Sequence, residues 1–316
     1  MEKATPLVSV VINSYNQAQF LEQTIQSVLS QDYPNVEILL VDGGSADGSL
    51  EIIQKYTDRF SWWVSEKDSG QAEGINKGLK RAKGELVAWL NSDDYFLPKA
   101  ISRAVDCWKS QPKTVLIYGD VMAVDENNKM INRMQTGDWQ LSDLMEFKII
   151  NQPAVFMNQS ALAESGYLDT SYHYPMDHHL WLRIASQGKM VHVPELWAAG
   201  RFHPAAKNVA AAAKFGEEAY RIADWMKDNQ PFKSLSEGRW NRIMAGAHRF
   251  NARYLLEGGD AVGSFKYYWR GLIAYPPAVL PELHRMFYAI LSMVGLGRVK
   301  QLYFSLRRLV RPVKMD

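Results

Sequence analysis

Residues 85–94 read Glu-Leu-Val-Ala-Trp-Leu-Asn-Ser-Asp-Asp, a short apolar run that ends abruptly in two adjacent carboxylates. An apolar run of this length, following a helical pattern, reads as a buried strand of a parallel sheet. In open α/β sheets, ligands bind in the crevice beyond the carboxyl ends of such strands. Asp93 and Asp94 are therefore expected where a hard divalent cation and a phosphorylated ligand would be held. Asn91-Ser92-Asp93-Asp94 is also good turn composition, and the stretch alone supports either reading.

The surrounding hundred residues alternate strand-like and helix-like segments. Val8 to Asn13 is β-branched and reads as a buried strand, followed by Phe20, Leu21, Ile25, Val28 and Leu29 at helical spacing. Val36 to Asp42 is a second strand, Trp62 to Val64 a third, and Glu85 to Leu90 a fourth, with helices predicted around Ile52, Ile53 and Tyr56 and over 71–82. Such alternation implies βαβ units and a mostly parallel, Rossmann-like sheet flanked by helices. The glycine turn after Asp42 lacks the dinucleotide fingerprint, because Ser45 stands where the second glycine is required. A nicotinamide dehydrogenase is thereby disfavoured.

Further along, Val115 to Tyr118, Val121 to Val124, Met130 to Arg133 and the run after Asn151-Gln152-Pro153 read as strands. Tyr174 to Gln187 contains a helix, and Val191 to Val193 is a last strand. The expected division is a sheet-based domain over 1–205 and a helical C-terminal region over 206–316. Within the latter, Ala245 to Pro277 reads as a helical hairpin turning at Gly258-Gly259-Asp260.

The single cysteine, Cys107, excludes an intramolecular disulfide and a cysteine-rich zinc site. The N-terminus lacks a basic region followed by an apolar core, so no secretory signal is expected. No apolar run approaches the ~20 residues needed to span a bilayer. Residues 1–205 hold 18 Lys and Arg against 25 acids, whereas 206–316 hold 18 against 9. The stretch 281–316 interleaves seven basic residues with apolar ones, a pattern suited to an anionic membrane surface or to docking on the same protein. A cytoplasmic protein, peripheral at the inner membrane face, and no nucleic-acid partner are the expectations.

Seven motifs in order resemble the family 2 glycosyltransferases. They are Val8 to Asn16, Leu40 to Gly48, Ser65 to Gly78, Leu90 to Asp94, Asn151-Gln152-Pro153, Met176 to Arg183 and Arg201-Phe202-His203-Pro204. The resemblance covers roughly residues 7–207. It implies a GT-A fold and an inverting hexosyltransferase that moves one sugar from a nucleotide-sugar, a UDP-sugar first, to a hydroxyl acceptor. Polysaccharide or glycolipid biosynthesis would follow, with a saccharide or lipid-linked saccharide as acceptor. Two departures stand out. The usual Asp-x-Asp metal motif has Asn91 at its first position, and Ser236 replaces the glutamine of the processive synthases' Q-x-x-R-W before Arg239-Trp240.

The resemblance also implies roles. Asp177 is the candidate general base, which alone could instead be a helix N-cap. Asp93 is the candidate ligand for Mn²⁺ or Mg²⁺, with His203 and Asp94 as further candidates. Asn13, Tyr15, Asn16, Asp42, Asp68, Gln71, Lys77, Asn91, Ser92 and Asp93 are the candidate donor-nucleotide residues. Gln152, His178 and Trp181 are assigned to the acceptor side, and Arg201 and Lys207 could add charge near the diphosphate. A sugar nucleotidyltransferase is disfavoured because Asn13 to Gln17 has neither glycine nor a basic residue. A catalytically degenerate, nucleotide-sugar-binding scaffold subunit is the alternative that Asn91 leaves standing.

Overall fold

In the computed structural model, which describes residues 5–111, 113–204 and 211–296, the first strands follow the β-branched runs closely. They are β1 (Val8–Ser14), β2 (Val36–Asp42), β3 (Trp62–Ser65) and β4 (Leu86–Asn91). Between them lie α1 (Ala18–Leu29), α2 (Ser49–Lys55) and α3 (Gln71–Leu79). All four strands run parallel in the order β3-β2-β1-β4. Their burial on both faces explains why they read as continuous apolar runs.

Beyond β4 the sheet becomes mixed. The next elements are β5 (Tyr95–Phe96), α4 (Ala100–Ser110), β6 (Thr114–Val124), β7 (Met130–Met134) and α5 (Leu141–Met145). They are followed by β8 (Val155–Asn158), α6 (Gln159–Ser165), α7 (Met176–Ala185) and β9 (Lys189–Arg201). Among the described residues the nine strands form one sheet, ordered β3-β2-β1-β4-β8-β6-β9-β5 with β7 paired to β6. Strand β8 is antiparallel to both neighbours, which joins the parallel half to the β6–β9 pair. A GT-A-type α/β architecture results, with its core where α1 and α4 cover one sheet face. Val8, Val10, Ile12, Leu40, Leu86 and Leu90 meet Leu21, Ile25, Ile101 and Val105 there. Each such fully buried side chain stabilises the fold by about 1.5–3 kcal/mol.

Two strands differ from the sequence expectation. The predicted breaks at Gly119-Asp120 and after Val193 are absent. Gly119 lies against the Trp197 ring, where a Cβ would come within 2.6 Å of Cδ2. Asp120 is a buried carboxylate held by Arg133 at 2.8 Å, His192 at 2.9 Å and the Thr136 N–H at 2.9 Å. A buried, paired charge mimics a turn in sequence. Strand β9 likewise continues through Pro194 and Glu195 to Arg201, absorbing them by register shifts against β6.

The chain divides into two compact units, Met1–Leu144 with Ile149–Phe202, and Met145–Lys148 with His203–Asp316. The second unit contains α8 (Phe215–Asp228), α9 (Phe232–Ser236), α10 (Trp240–Glu257), α11 (Ala261–Ala274), α12 (Pro276–Val279) and α13 (Leu283–Met293). Helices α10 and α11 form the predicted hairpin. Gly259 takes φ +90° in its turn, and Asp260 caps α11 by accepting the Gly263 N–H at 2.8 Å. Buried Arg249 donates to the carbonyls of Phe147 (2.9 Å) and Ala278 (3.0 Å). Among the described residues no helix is long and apolar enough to cross a membrane. The basic ending Arg307-Arg308, Arg311 and Lys314 lies outside the described residues, as does Lys207.

Candidate donor and catalytic site

The parallel strands β1 to β4 end along one edge of the sheet, and their order reverses direction between β1 and β4. That is the switch point at which α/β sheets open a crevice. The loops after β1, β2 and β3 are laced together there by side chains. Asp42 is wholly buried and accepts the N–H groups of Gly44 (3.1 Å) and Ser45 (2.9 Å) and the Ser65 hydroxyl (2.7 Å). Asn16, at φ 51°, accepts the Ala46 N–H at 2.9 Å, while its own N–H donates to Ser45 Oγ at 2.8 Å. Asp42 and Asn16 thus hold the loops.

Asn13, Tyr15 and Asp68 are drawn together around two glycines. A Cβ at Gly43 would lie 2.9 Å from Asp68 Oδ2 and 3.3 Å from the Tyr15 ring. One at Gly74 would lie 2.5 Å from Asn13 Oδ1 and 2.8 Å from Asp68 Oδ2. Tyr15 is 61% exposed, a flat face open to solvent. Asn13 Oδ1 is buried and has no hydrogen-bond partner among the described residues, and such an orphaned acceptor calls for a donor from a ligand or water. Burial raises the Asp68 carboxyl above its ordinary value, opposed by the Gly70 N–H it accepts at 3.0 Å.

At the end of β4, Asn91 is the centre of a second network. Gln71 Nε2 donates to Asn91 Oδ1 (2.8 Å), and Asn91 Nδ2 donates to Gln152 Oε1 (3.1 Å). The same amide reaches Asp94 Oδ2 at 3.4 Å, and Gln152 Nε2 donates to the Trp89 carbonyl at 2.8 Å. Ser92 is buried, its N–H bonded to the Asn13 carbonyl at 2.9 Å. Burial, and then the charge of Asp93, push the Asp94 carboxyl well above the usual carboxylate range. Lys77 is paired with Glu66 at 2.9 Å and Glu73 at 3.4 Å, which raises its ammonium above the ordinary value.

Helix α7 starts at Met176, so Asp177 sits in its first turn and is not the N-cap; its carboxylate accepts the His178 N–H at 2.8 Å. Half-buried Asp177 is followed by two residues of the interior. The His178 ring is buried, with Nε2 3.0 Å from the Leu144 carbonyl, and desolvation lowers its pKa to about 4. Trp181 is wholly buried and stacked on Trp89, ring centroids 5.1 Å apart. It therefore lies under the strand whose carbonyl holds Gln152.

Arg201, expected to add charge near a diphosphate, is buried. Its guanidinium donates to the carbonyls of Asp93 (3.0 Å), Asp125 (3.3 Å) and Glu126 (3.3 Å) and to Gln23 Oε1 (2.8 Å), and it lies 4.3 Å above the Phe20 ring. Its backbone N–H donates to Asp94 Oδ1 at 3.0 Å. Arg201 is a tie that fixes the acidic loop. Sequence reasoning also missed Thr24, whose hydroxyl is shared by the carbonyls of Ser92 (2.8 Å) and Asp94 (2.6 Å). Gly74, a glycine inside a helical pattern, was the one available signal for the close approach to Asn13.

Among the described residues no three His, Cys, Asp or Glu side chains gather as a metal cage. The residues nevertheless suit a hard cation whose shell is completed by phosphate oxygens and water, which needs only one or two protein carboxylates. The charge crowding of Asp93 upon Asp94 is what such a cation would relieve. Asp93 and Asp94 are the carboxylates that could hold it, and Asp94 already accepts hydrogen bonds at both oxygens. His203 is buried and opens the second unit.

Residues 9–161 match the family model described as "Glycosyl transferase family 2". A glycosyltransferase of Rickettsia typhi is 26% identical over 209 residues, covering 64% of this chain and 65% of that protein. A Bacillus subtilis protein, TuaG, assigned by its name to teichuronic acid biosynthesis, is 45% identical over 92 residues, 28% of this chain and 36% of that one. The chain thus spans less than two thirds of these relatives. Among solved structures, S. aureus TarS 1–349 in complex with UDP-GlcNAc superposes with a TM-score of 0.66 at 16% identity, covering 98% of this chain and 94% of that one. The mannosyltransferase PcManGT from Pyrobaculum calidifontis, in complex with GDP-Man and Mn²⁺, gives 0.60 at 18% identity, covering 95% and 88%. At these identities the structural likeness speaks for the fold alone, and it is the match over residues 9–161 that places this segment of the chain in family 2 of the glycosyltransferases.

Proposed function

We propose that the protein transfers a single sugar from a nucleotide-sugar donor to a hydroxyl acceptor with inversion at the anomeric carbon, in polysaccharide or glycolipid synthesis. The observation that carries this reading is the convergence, at the β1–β4 switch point, of the Asn13–Tyr15–Asp68 cradle with the Asn91–Asp93–Asp94 loop. The cradle would take the nucleoside, with Tyr15 against the base and Asn13 Oδ1 accepting a ligand N–H or O–H. UDP is the first candidate, since TarS crystallises with UDP and UDP-GlcNAc.

Asp93 would hold a Mn²⁺ or Mg²⁺ ion, which when bound neutralises charge on the departing diphosphate. Asp177 would take the acceptor's proton as its oxygen forms the bond to the anomeric carbon and the nucleoside diphosphate leaves. Gln152 would face the acceptor, supported from beneath by the Trp89–Trp181 stack. Calorimetric titration with UDP, GDP, dTDP and CDP, in Mn²⁺ and in chelator, tests the reading. Base-selective, metal-dependent binding that Asp93→Ala abolishes is expected; absence of binding to all four refutes it.

The amide at Asn91, engaged by Gln71 and Gln152, favours a second reading, a nucleotide-sugar-binding scaffold without turnover. Nucleotide binding without transfer or donor hydrolysis would establish that one.

A further inference from the structure

Six exposed apolar residues of the second unit fall into two regular stripes. On α11, Val262, Trp269 and Ile273 are 67%, 53% and 72% exposed and stand at i, i+7 and i+11. On α13, Leu283, Phe287 and Ile290 are 41%, 63% and 39% exposed at i, i+4 and i+7. At about 100° per residue, each series keeps to one narrow helix face. The other face of α11 buries Ser264, Tyr268 and Gly271, and α13 buries Met286 and Ala289. Tyr268 and Met286 share the unit's small apolar cluster with Ala252 and Val279. Each helix is therefore apolar twice over, once toward its own core and once outward. Stripes of this kind on a folded unit mark an interaction surface.

Charge selects the occupant. Lys266 and Arg270 flank the α11 stripe, and residues 261–316 carry nine Lys and Arg against two acids. The 20 residues after Leu296, which continue the chain from α13, hold six of those nine with a single Asp. A symmetric contact with a second copy would bring together two such net-basic segments, one from each chain. An anionic bilayer surface neutralises such a segment and accepts the aromatic and aliphatic side chains at the headgroup boundary. We propose that α11 and α13 form a docking face for an anionic lipid surface.

Flotation of the full chain with phosphatidylcholine vesicles, with and without phosphatidylglycerol, tests this. Binding is expected only to the phosphatidylglycerol vesicles, and it should weaken as salt rises. The double variant Trp269→Ser, Phe287→Ser changes two exposed side chains and is checked for an unaltered melting curve. It should reduce bound protein by about tenfold or more. The proposal is overturned by absence of binding to the anionic vesicles, or by binding that the double variant leaves intact. It is equally overturned by a concentration-dependent dimer that the same substitutions dissolve. No sugar donor enters the assay, so its failure leaves the transferase reading untouched.

Discussion

Asn13 and Asn91 stand opposite each other in the parallel β1–β4 register, each at the carboxyl end of its strand. Asn13 presents a buried carbonyl oxygen with no partner among the described residues, while Asn91 spends its amide on Gln71 and Gln152. One amide is left open for a ligand and the other is consumed by the fold.

Replacing Asn91 by Asp, which restores the Asp-x-Asp spacing, should therefore harm the ligand-free protein. The change removes the donor that serves Gln152 Oε1 and Asp94 Oδ2 and adds a carboxylate beside a buried one. A loss of about 2 kcal/mol is expected in urea denaturation with chelator present. Mn²⁺ with UDP should recover part of it. An unaltered midpoint would mean that the amide network contributes nothing.

Gly74→Ala probes the nucleoside cradle. Alanine is the better helix former by about 1 kcal/mol, yet its Cβ would press on Asn13 Oδ1 and Asp68 Oδ2. Nucleotide affinity should fall about tenfold or more, equivalent to about 1.4 kcal/mol. Wild-type affinity by calorimetry would move the nucleoside elsewhere.

Asp177→Asn keeps the size of the side chain and an acceptor for the His178 N–H while removing the base. Turnover should fall by about 10²–10⁴ with donor affinity unchanged. Loss of donor binding in step with turnover would instead assign Asp177 to donor positioning.

His178 gives the fold a pH dependence. Its pKa of about 4 lies below the ordinary imidazole value of 6.5, so the unfolded chain binds the proton more readily between those values. The neutral ring's contribution is complete above pH 6.5 and is lost as pH falls toward 4, about 3 kcal/mol in all. Buried Asp94, with its raised pKa, gives a slope of the opposite sign, so the measurement is a difference. The stability gap between wild type and His178→Gln, from urea curves at several pH values, should narrow as pH falls from 6.5 to 4. A constant gap would show that the ring titrates normally.

Arg201→Ala would strand the acceptors that its guanidinium serves beside Asp93. A cost of about 3 kcal/mol or more is expected, and Arg201→Lys should recover little because one ammonium cannot span the same fork. Full recovery with Lys would leave only the charge as important.

The parallel half of the sheet was legible because β1 to β4 are buried on both faces, so each strand is one unbroken apolar run. The turn at Asp93 and Asp94 was legible as the end of β4 because two adjacent carboxylates close that apolar run. The burial of Asp120 and Arg201 was not legible for a common reason: each is held by groups distant in sequence, His192 for one and the Asp125 and Glu126 carbonyls for the other. The burial of His178 and Trp181 was equally hidden, since a short helix with apolar residues on several sides announces neither a face nor a partner.

The lacing of the three donor-side loops through Asn16, Ser45, Asp42 and Ser65 has a thermodynamic consequence. Segments already fixed to one another forfeit little conformational freedom when a ligand arrives, so more of the contact energy is realised as affinity. The same coupling makes the loops rigid in common. A substitution such as Ser65→Ala, which removes one hydrogen bond to Asp42, should loosen all three together, visible as faster amide exchange at Gly44, Ser45 and Ala46 and as a more unfavourable entropy of nucleotide binding.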